Sequence, residues 1–382
     1  MRELAAARRP CNTTLPALTG LRFLAALAVL VSHFDYSGLI SVPAEAVEFL
    51  DRGRTAVALF FVLSGFILTY NYMGLSGSED RTKFYASRLA RVYPVTLLAL
   101  GLGAVGVVYA LTHPGSGRLV EWYSLEGASP FALPGSFLAQ VTMTTAWFPV
   151  GSLNQPWNGP AWSIACEVFF YALFPLLFVK LRNLRFVRIA YVLIGGWAFQ
   201  MLAILTARSF APAEQVGFLA YQFPLMHLFE FVLGIATAVV FLRGGREWAS
   251  PGSRRSLLLA GALIPLVLLA FFRPAQPAYL LMSPLFALLI FSLAVPPRGR
   301  RSFLASAPLV LLGEASFALY MIHTPLMNLY SIAYPPEAVG WLLMAGTAGV
   351  SIAVFRWFET PARIWTRATV LRIVPQPARK AA

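Results

Sequence analysis

Apolar runs of about 17–25 residues, the length of a membrane-crossing helix, recur along the chain with short basic or turn-rich breaks between them. Ten such runs are predicted to be spans: 16–35, 54–72, 93–112, 162–180, 187–207, 223–242, 256–272, 278–295, 308–330 and 339–358. A further run, 131–150, is interrupted by Pro134 and Pro149 and predicts a re-entrant or interfacial helix. The expected fold is all-α: a polytopic integral membrane protein of about ten transmembrane helices.

Lys and Arg orient these spans. With the N-terminus inside, the inner segments carry 24 of the 30 basic residues, five lie in outer segments, and Arg22 remains within a span. The positive-inside bias therefore predicts an N-in, C-in topology. It also divides the chain into a cytosolic tail at 1–15, a transmembrane domain at 16–360 with an external loop at 113–161, and a basic cytosolic tail at 361–382. That last tail is expected to lie against anionic lipid or to be disordered. Arg2, Arg8 and Arg9 before the first run mimic a signal peptide, but no small-residue cleavage site follows, so the run reads as an uncleaved span.

Composition agrees: 58% of residues are hydrophobic and 12% charged, against about 25% charged in soluble domains. The net charge of +14 is explained by the inner loops and needs no nucleic acid. Cys11 and Cys166 form no disulfide framework, and the four histidines show no metal-binding spacing, so no metal is expected.

Chemistry enters with the polar residues inside the spans, which cost several kcal/mol at mid-bilayer and need a reason. Arg22 and His33 share the first span. Eleven residues are about three helical turns, so both project from one face roughly 16 Å apart. The fourth span carries Ser163, Glu167 and Tyr171 on a single stripe; Glu167 could serve chemistry or simply pair with an Arg or Tyr of another helix. The sixth carries His227 and Glu230, readable as a rim pair. The ninth carries Ser316, Tyr320 and His323, where His323 could be an interhelical hydrogen bond. Ser64-Gly65 in the second span suits close helix packing as well as chemistry. Arg88 and Arg91, in a cytosolic run before the third span, could hold phosphates or act as a positive-inside anchor. By depth, His33, Glu167, His227, Glu230 and His323 fall toward the outer half, and Arg22, Arg88, Arg91 and Tyr93 at or toward the inner half.

These motifs resemble those of the membrane acyltransferase-3 family. The matching elements are RFLAALAVLVSH, FFVLSGF, RLARVYP, PAWSIACEVFFYALFP, SFALYMIHTPL and FRWFETPAR, in family order over nearly the whole chain. The resemblance implies a membrane O-acyltransferase without an SGNH-type hydrolase domain, acting in the bacterial inner membrane. It implies acetyl-CoA or another acyl-CoA as donor, and as acceptor a sugar hydroxyl of a surface polysaccharide, a lipopolysaccharide or a glycosylated small molecule. Carried over residue by residue, His33 matches the family's essential histidine, Arg22 its partner arginine, Arg88 and Arg91 the basic pair, and Glu167 and Tyr171 the fourth-span motif. His227 departs from the family pattern, since many relatives carry Arg there.

The expected mechanism follows. His33 acts as general base or is itself acylated, and Glu167 orients its imidazole. Tyr171 or Ser163 donates to the developing oxyanion. Arg22, Arg88 and Arg91 hold CoA phosphates, while Ser64, Ser163, Tyr320, His323 and Glu230 line the substrate path or support it. Trp122, Tyr123, Trp147 and Trp157 in the external loop could stack on sugars or anchor at the interface. The rival readings are a proton-coupled transporter or lipid or glycan flippase, and a structural membrane subunit.

Overall fold

The computed structural model describes residues 15–43, 53–113, 115–127, 129, 131–272, 278–296, 302–333 and 337–374. All ten apolar runs are helical, and no strand occurs among the described residues. The protein is an all-α polytopic membrane protein. Among the described residues seven helices are long and apolar enough to cross a membrane, or eight if one bent pair counts as a span; Leu281–Ala294 is a shorter apolar helix. The run at 131–150 breaks into short helices, Ala132–Val141 and Thr145–Trp147, with no span.

Helix α1, Pro16–Tyr36, begins on a proline, whose fixed φ suits a first turn. It ends where Gly38 takes φ +69° and the Leu39 amide bonds back to the Phe34 carbonyl at 3.1 Å. His33 therefore sits in its last turn. Helix α2, Arg54–Asn71, is mostly buried and lies centrally, with α1 beside it. Helix α3, Ser78–Thr112, holds Glu79 and Asp80 in its first turn, where carboxylates complement the helix dipole. It runs unbroken through Pro94. Arg88 and Arg91, expected on a run ahead of the span, thus ride on the same helix as the span.

Helices α4, Trp162–Leu181, and α6, Leu228–Val240, pack on α2, and α5, Phe186–Phe210, packs on α6. The α2–α6 crossing is the most extensive in the fold and is made by reciprocal glycines. A Cβ on Gly65 would overlap the Phe231 carbonyl, and one on Gly234 would overlap the Val62 carbonyl. The small-residue reading of Ser64-Gly65 holds on the glycine side. Helices α7, Gly252–Phe272, and α8, Ala278–Ala294, pair along one flank.

Helices α9, Ala307–Glu314, and α10, Ser316–Ile332, meet at a 61° bend. Gly20 of α1 abuts the Leu304 carbonyl, and Gly313 of α9 abuts the Thr19 carbonyl, so the start of α1 is clasped against this region. Helix α11, Glu337–Val354, continues through a π-helical segment, Phe355–Glu359, into α12, Thr360–Ile373. The segment expected from residue 361 to be a lipid-lying or disordered tail is helical to Ile373 and packs on α3. Burial of Glu359 against Arg91 gives it a reason to fold there. Residues 1–14 and 375–382 lie outside the described residues.

Candidate active site

Two cavities open within the bundle, and α1 borders both. The first, with an empty volume of ≈ 850 Å³, collects Arg22 from α1, Ser64 from α2, Arg88 and Arg91 from α3, Ser163, Glu167 and Tyr171 from α4, and Ser316 and Tyr320 from α10. Its opposite wall is apolar, with Val57, Phe60, Leu63 and Ile67. Arg91 forms an ion pair with the fully buried Glu359 and lies 4.9 Å from the Phe317 ring centre. Arg88 lies over the rings of Tyr72 and Tyr171, at 5.6 and 5.8 Å. Its Nη2 donates weakly to the Tyr72 hydroxyl at 3.4 Å, and its Nε is buried with no hydrogen-bond partner. Arg22 makes no ion pair among the described residues, although Glu167 and Glu359 are within its electrostatic reach. Tyr171 donates to Glu167 Oε2 at 2.7 Å. Arg363 Nη1 also lies 3.8 Å from Glu359 Oε1. Four guanidiniums thus surround two carboxylates, with one Arg lacking a direct partner and another holding an unused donor. An anion of several oxygens would satisfy them.

The second cavity, of ≈ 960 Å³, contains His33 and Ser32 from α1, Arg54 at the start of α2, Gln155 from the loop, Trp162, and Tyr221 and Gln222. His33 Nδ1 lies 2.8 Å from His323 Nε2, and the two rings stack at 5.0 Å. His323 Nδ1 lies 2.7 Å from the Tyr320 carbonyl oxygen. A carbonyl only accepts, so that nitrogen carries the proton in the neutral ring, and His323 Nε2 is left as an acceptor. The His33 Nδ1–H then donates to it, and the His33 Nε2 lone pair remains for the cavity. The Thr324 hydroxyl, 3.1 Å from His323 Nε2, supports the same acceptor role. The network orders both tautomers without a carboxylate.

Val57 and Tyr320 border both cavities. The Tyr320 hydroxyl lies 2.8 Å from Ser163 Oγ and donates to the Pro160 carbonyl at 3.3 Å.

A buried basic nitrogen beside an arginine-lined cavity suits group transfer, and the sequence comparisons specify which. The family profile described as an acyltransferase domain matches residues 15–357. The chain belongs to the acyltransferase-3 family. It is an acyltransferase enzyme. Acyltransferase MdmB of Streptomyces mycarofaciens is 31% identical over 82% of this chain and 79% of that protein. Peptidoglycan O-acetyltransferase OatA of Listeria monocytogenes is 24% identical over 91% of this chain but only 56% of its own length. Exopolysaccharide production protein ExoZ of Rhizobium meliloti is 26% identical over 81% of this chain and 89% of that protein. No solved structure matches the acyltransferase.

In this acyltransferase several expected groupings come together and others do not. Arg22, Arg88, Arg91, Ser64, Ser163, Glu167, Tyr171 and Tyr320 share one cavity. His33 and His323 meet directly. Glu167, expected to orient the His33 imidazole, instead faces the arginines, because the stripe of α4 turns toward α3. Tyr171, expected as an oxyanion donor, spends its proton on Glu167. Glu230 lines neither cavity; it is fully buried, accepting from Gln200 at 3.1 Å and Ser283 at 3.3 Å, and is 3.9 Å from His227. That cluster is interior rather than a rim pair.

The aromatics Trp122, Tyr123, Trp147 and Trp157 of loop 113–161 line neither cavity. Trp157 donates to Ser136 at 2.7 Å, Trp147 packs on Phe169 and Phe223, Trp122 packs on Tyr36, and Tyr123 is buried. The loop contributes Gln155 instead. Glu359 was not anticipated as part of the site, although a lone carboxylate at the end of the last apolar run, in FRWFETPAR, was a readable signal. Among the described residues no cluster of His, Cys, Asp and Glu has metal-binding geometry.

Proposed function

We propose that this acyltransferase moves an acyl group, acetyl in the first instance, from acyl-CoA to a sugar hydroxyl of a surface polysaccharide, a lipopolysaccharide or a glycosylated small molecule, in the bacterial cytoplasmic membrane. The observation that carries the reading is the His323-fixed tautomer of His33, which leaves a basic nitrogen in a cavity adjoining a cationic one. In this reading Arg22 and Arg88 hold CoA phosphates, with Arg91 held in register by Glu359. His33 Nε2 takes the proton of the acceptor hydroxyl as its oxygen attacks the thioester carbonyl. The carbon–sulfur bond then breaks, and the departing thiolate takes up a proton to leave as CoA. The peptidoglycan O-acetyltransferase and exopolysaccharide production relatives support a polysaccharide as the acceptor class.

The test is mass spectrometry of surface glycans and exported glycosylated small molecules from cells with and without the protein, alongside acyl-CoA consumption by their membranes. A mass difference of one acyl group, lost in His33→Ala with membrane insertion unchanged, is the expected result. Full transfer by correctly inserted His33→Ala protein would overturn the base assignment, and substrate uptake with no release of CoA would point to the transporter.

A further inference from the structure

Resting on that reading, the two cavities raise a question of passage. The donor's charged end belongs among the arginines, whereas the basic nitrogen of His33 opens into the other cavity. The acyl carbon must therefore reach the boundary between them. Among the described residues only two border both sides: Val57, a short side chain, and Tyr320, whose ring is nearly fully buried. Phe60 meets the Tyr320 ring edge-on at 6.3 Å from the first cavity.

Tyr320 is held there by its tip. Its hydroxyl and that of Ser163 share the Pro160 carbonyl, at 3.3 and 3.0 Å, and lie 2.8 Å from each other. The same residue's carbonyl accepts from His323 Nδ1, so one residue contacts both the boundary and the hydrogen-bond relay behind His33. Two hydroxyls and one backbone oxygen form a weak closure, of the kind a substrate can displace.

We infer that Tyr320 is a positioning residue, the partition that separates donor from acceptor, and that the acyl group crosses beside its ring when the Ser163–Pro160 latch is released. With the latch closed, the ring keeps water in the acceptor cavity away from the thioester. This assigns Tyr320 a role in choosing between sugar and water. In the failure channel, a water oxygen attacks the thioester carbonyl, the carbon–sulfur bond breaks, and a carboxylic acid and CoA thiol are released.

The test reads access as well as catalysis. Ser64→Cys places a thiol in the arginine cavity, in full-length protein with Cys11 and Cys166 replaced by alanine. A membrane-impermeant maleimide is applied to intact cells and, separately, to inverted vesicles. With Tyr320 present, labelling is expected from the vesicle side alone. Tyr320→Phe keeps the ring but loses the latch, so labelling from the cell side should rise roughly tenfold, the equilibrium effect of losing one hydrogen bond of ordinary strength. Tyr320→Ala should label from both sides and release CoA from acetyl-CoA without an acceptor faster than Tyr320→Phe does. Vesicle-side labelling in every variant reports an intact fold. Labelling of the parent from both sides, or one-sided labelling of both Tyr320 variants, overturns the inference. Absence of any CoA-dependent transfer would instead sink the proposed function and leave the labelling result standing.

Discussion

Replacing His323 by alanine isolates what the histidine pair contributes. The substitution removes the 2.8 Å acceptor for His33 Nδ1 and frees the imidazole to adopt the other tautomer, in which Nε2 carries a proton and cannot serve as base. A buried hydrogen bond left unmade costs about 1–3 kcal/mol. At about 1.4 kcal/mol per decade, kcat/KM for acyl-CoA should fall roughly 5–150-fold. His33→Ala removes the proposed base, worth typically about 10²–10⁴-fold. Because His323 acts only through His33, the double variant should be no worse than His33→Ala alone. The assay is acyl-CoA-dependent modification of the native acceptor in membrane preparations, normalised to the amount of inserted protein. Losses that multiply in the double variant would show that His323 touches substrate independently, and the relay argument would fail.

Arg91→Ala leaves Glu359 buried without its close partner, a change that typically costs about 3–5 kcal/mol; the thermal midpoint of the detergent-solubilised protein should fall sharply, and adding Glu359→Gln should restore much of it. Gly234→Ala drives a methyl into the Val62 carbonyl at the α2–α6 crossing. Overpacking of that kind typically costs about 1–3 kcal/mol, visible as a lower midpoint or reduced insertion, whereas Gly74→Ala, with open space around it, should show no clash-driven loss at all.

Hydrophobic run length was enough to find all ten apolar helical runs, though not the polar helix α12 or the bend between α9 and α10, because a bilayer demands a minimum apolar length and backbone satisfaction within each segment. Proline proved a poor guide to helix ends: Pro94, Pro175 and Pro325 all lie within helices. The identity of the polar residues was legible too, since a charge in a span announces itself by its cost. Their pairing was not. His33 and His323 are 290 positions apart, and Arg91 and Glu359 are 268 apart. Periodicity states which residues share a face but not which helix that face meets. Glu167 shows the consequence: its stripe was correct, yet the stripe faces the arginines of α3 rather than His33. Depth counted along single helices could not supply the missing rotation.

The clasped first helix has a bearing on donor choice. Arg22 and His33 are fixed to one unbroken helix whose start is pinned through Gly20 and Gly313. Eleven residues at about 1.5 Å each set them roughly 16 Å apart, and no sliding of neighbouring helices alters that interval. In the proposed function the helix is thus a ruler for the carrier of the acyl group. A donor whose charge and reactive carbonyl are adjacent, such as a simple acyl phosphate, can satisfy the arginine end or the histidine end but not both. A donor with a long neutral arm between phosphate and thioester can span the gap, so the spacing of two residues on α1 discriminates among activated acyl groups by length, before any recognition of the acyl group itself.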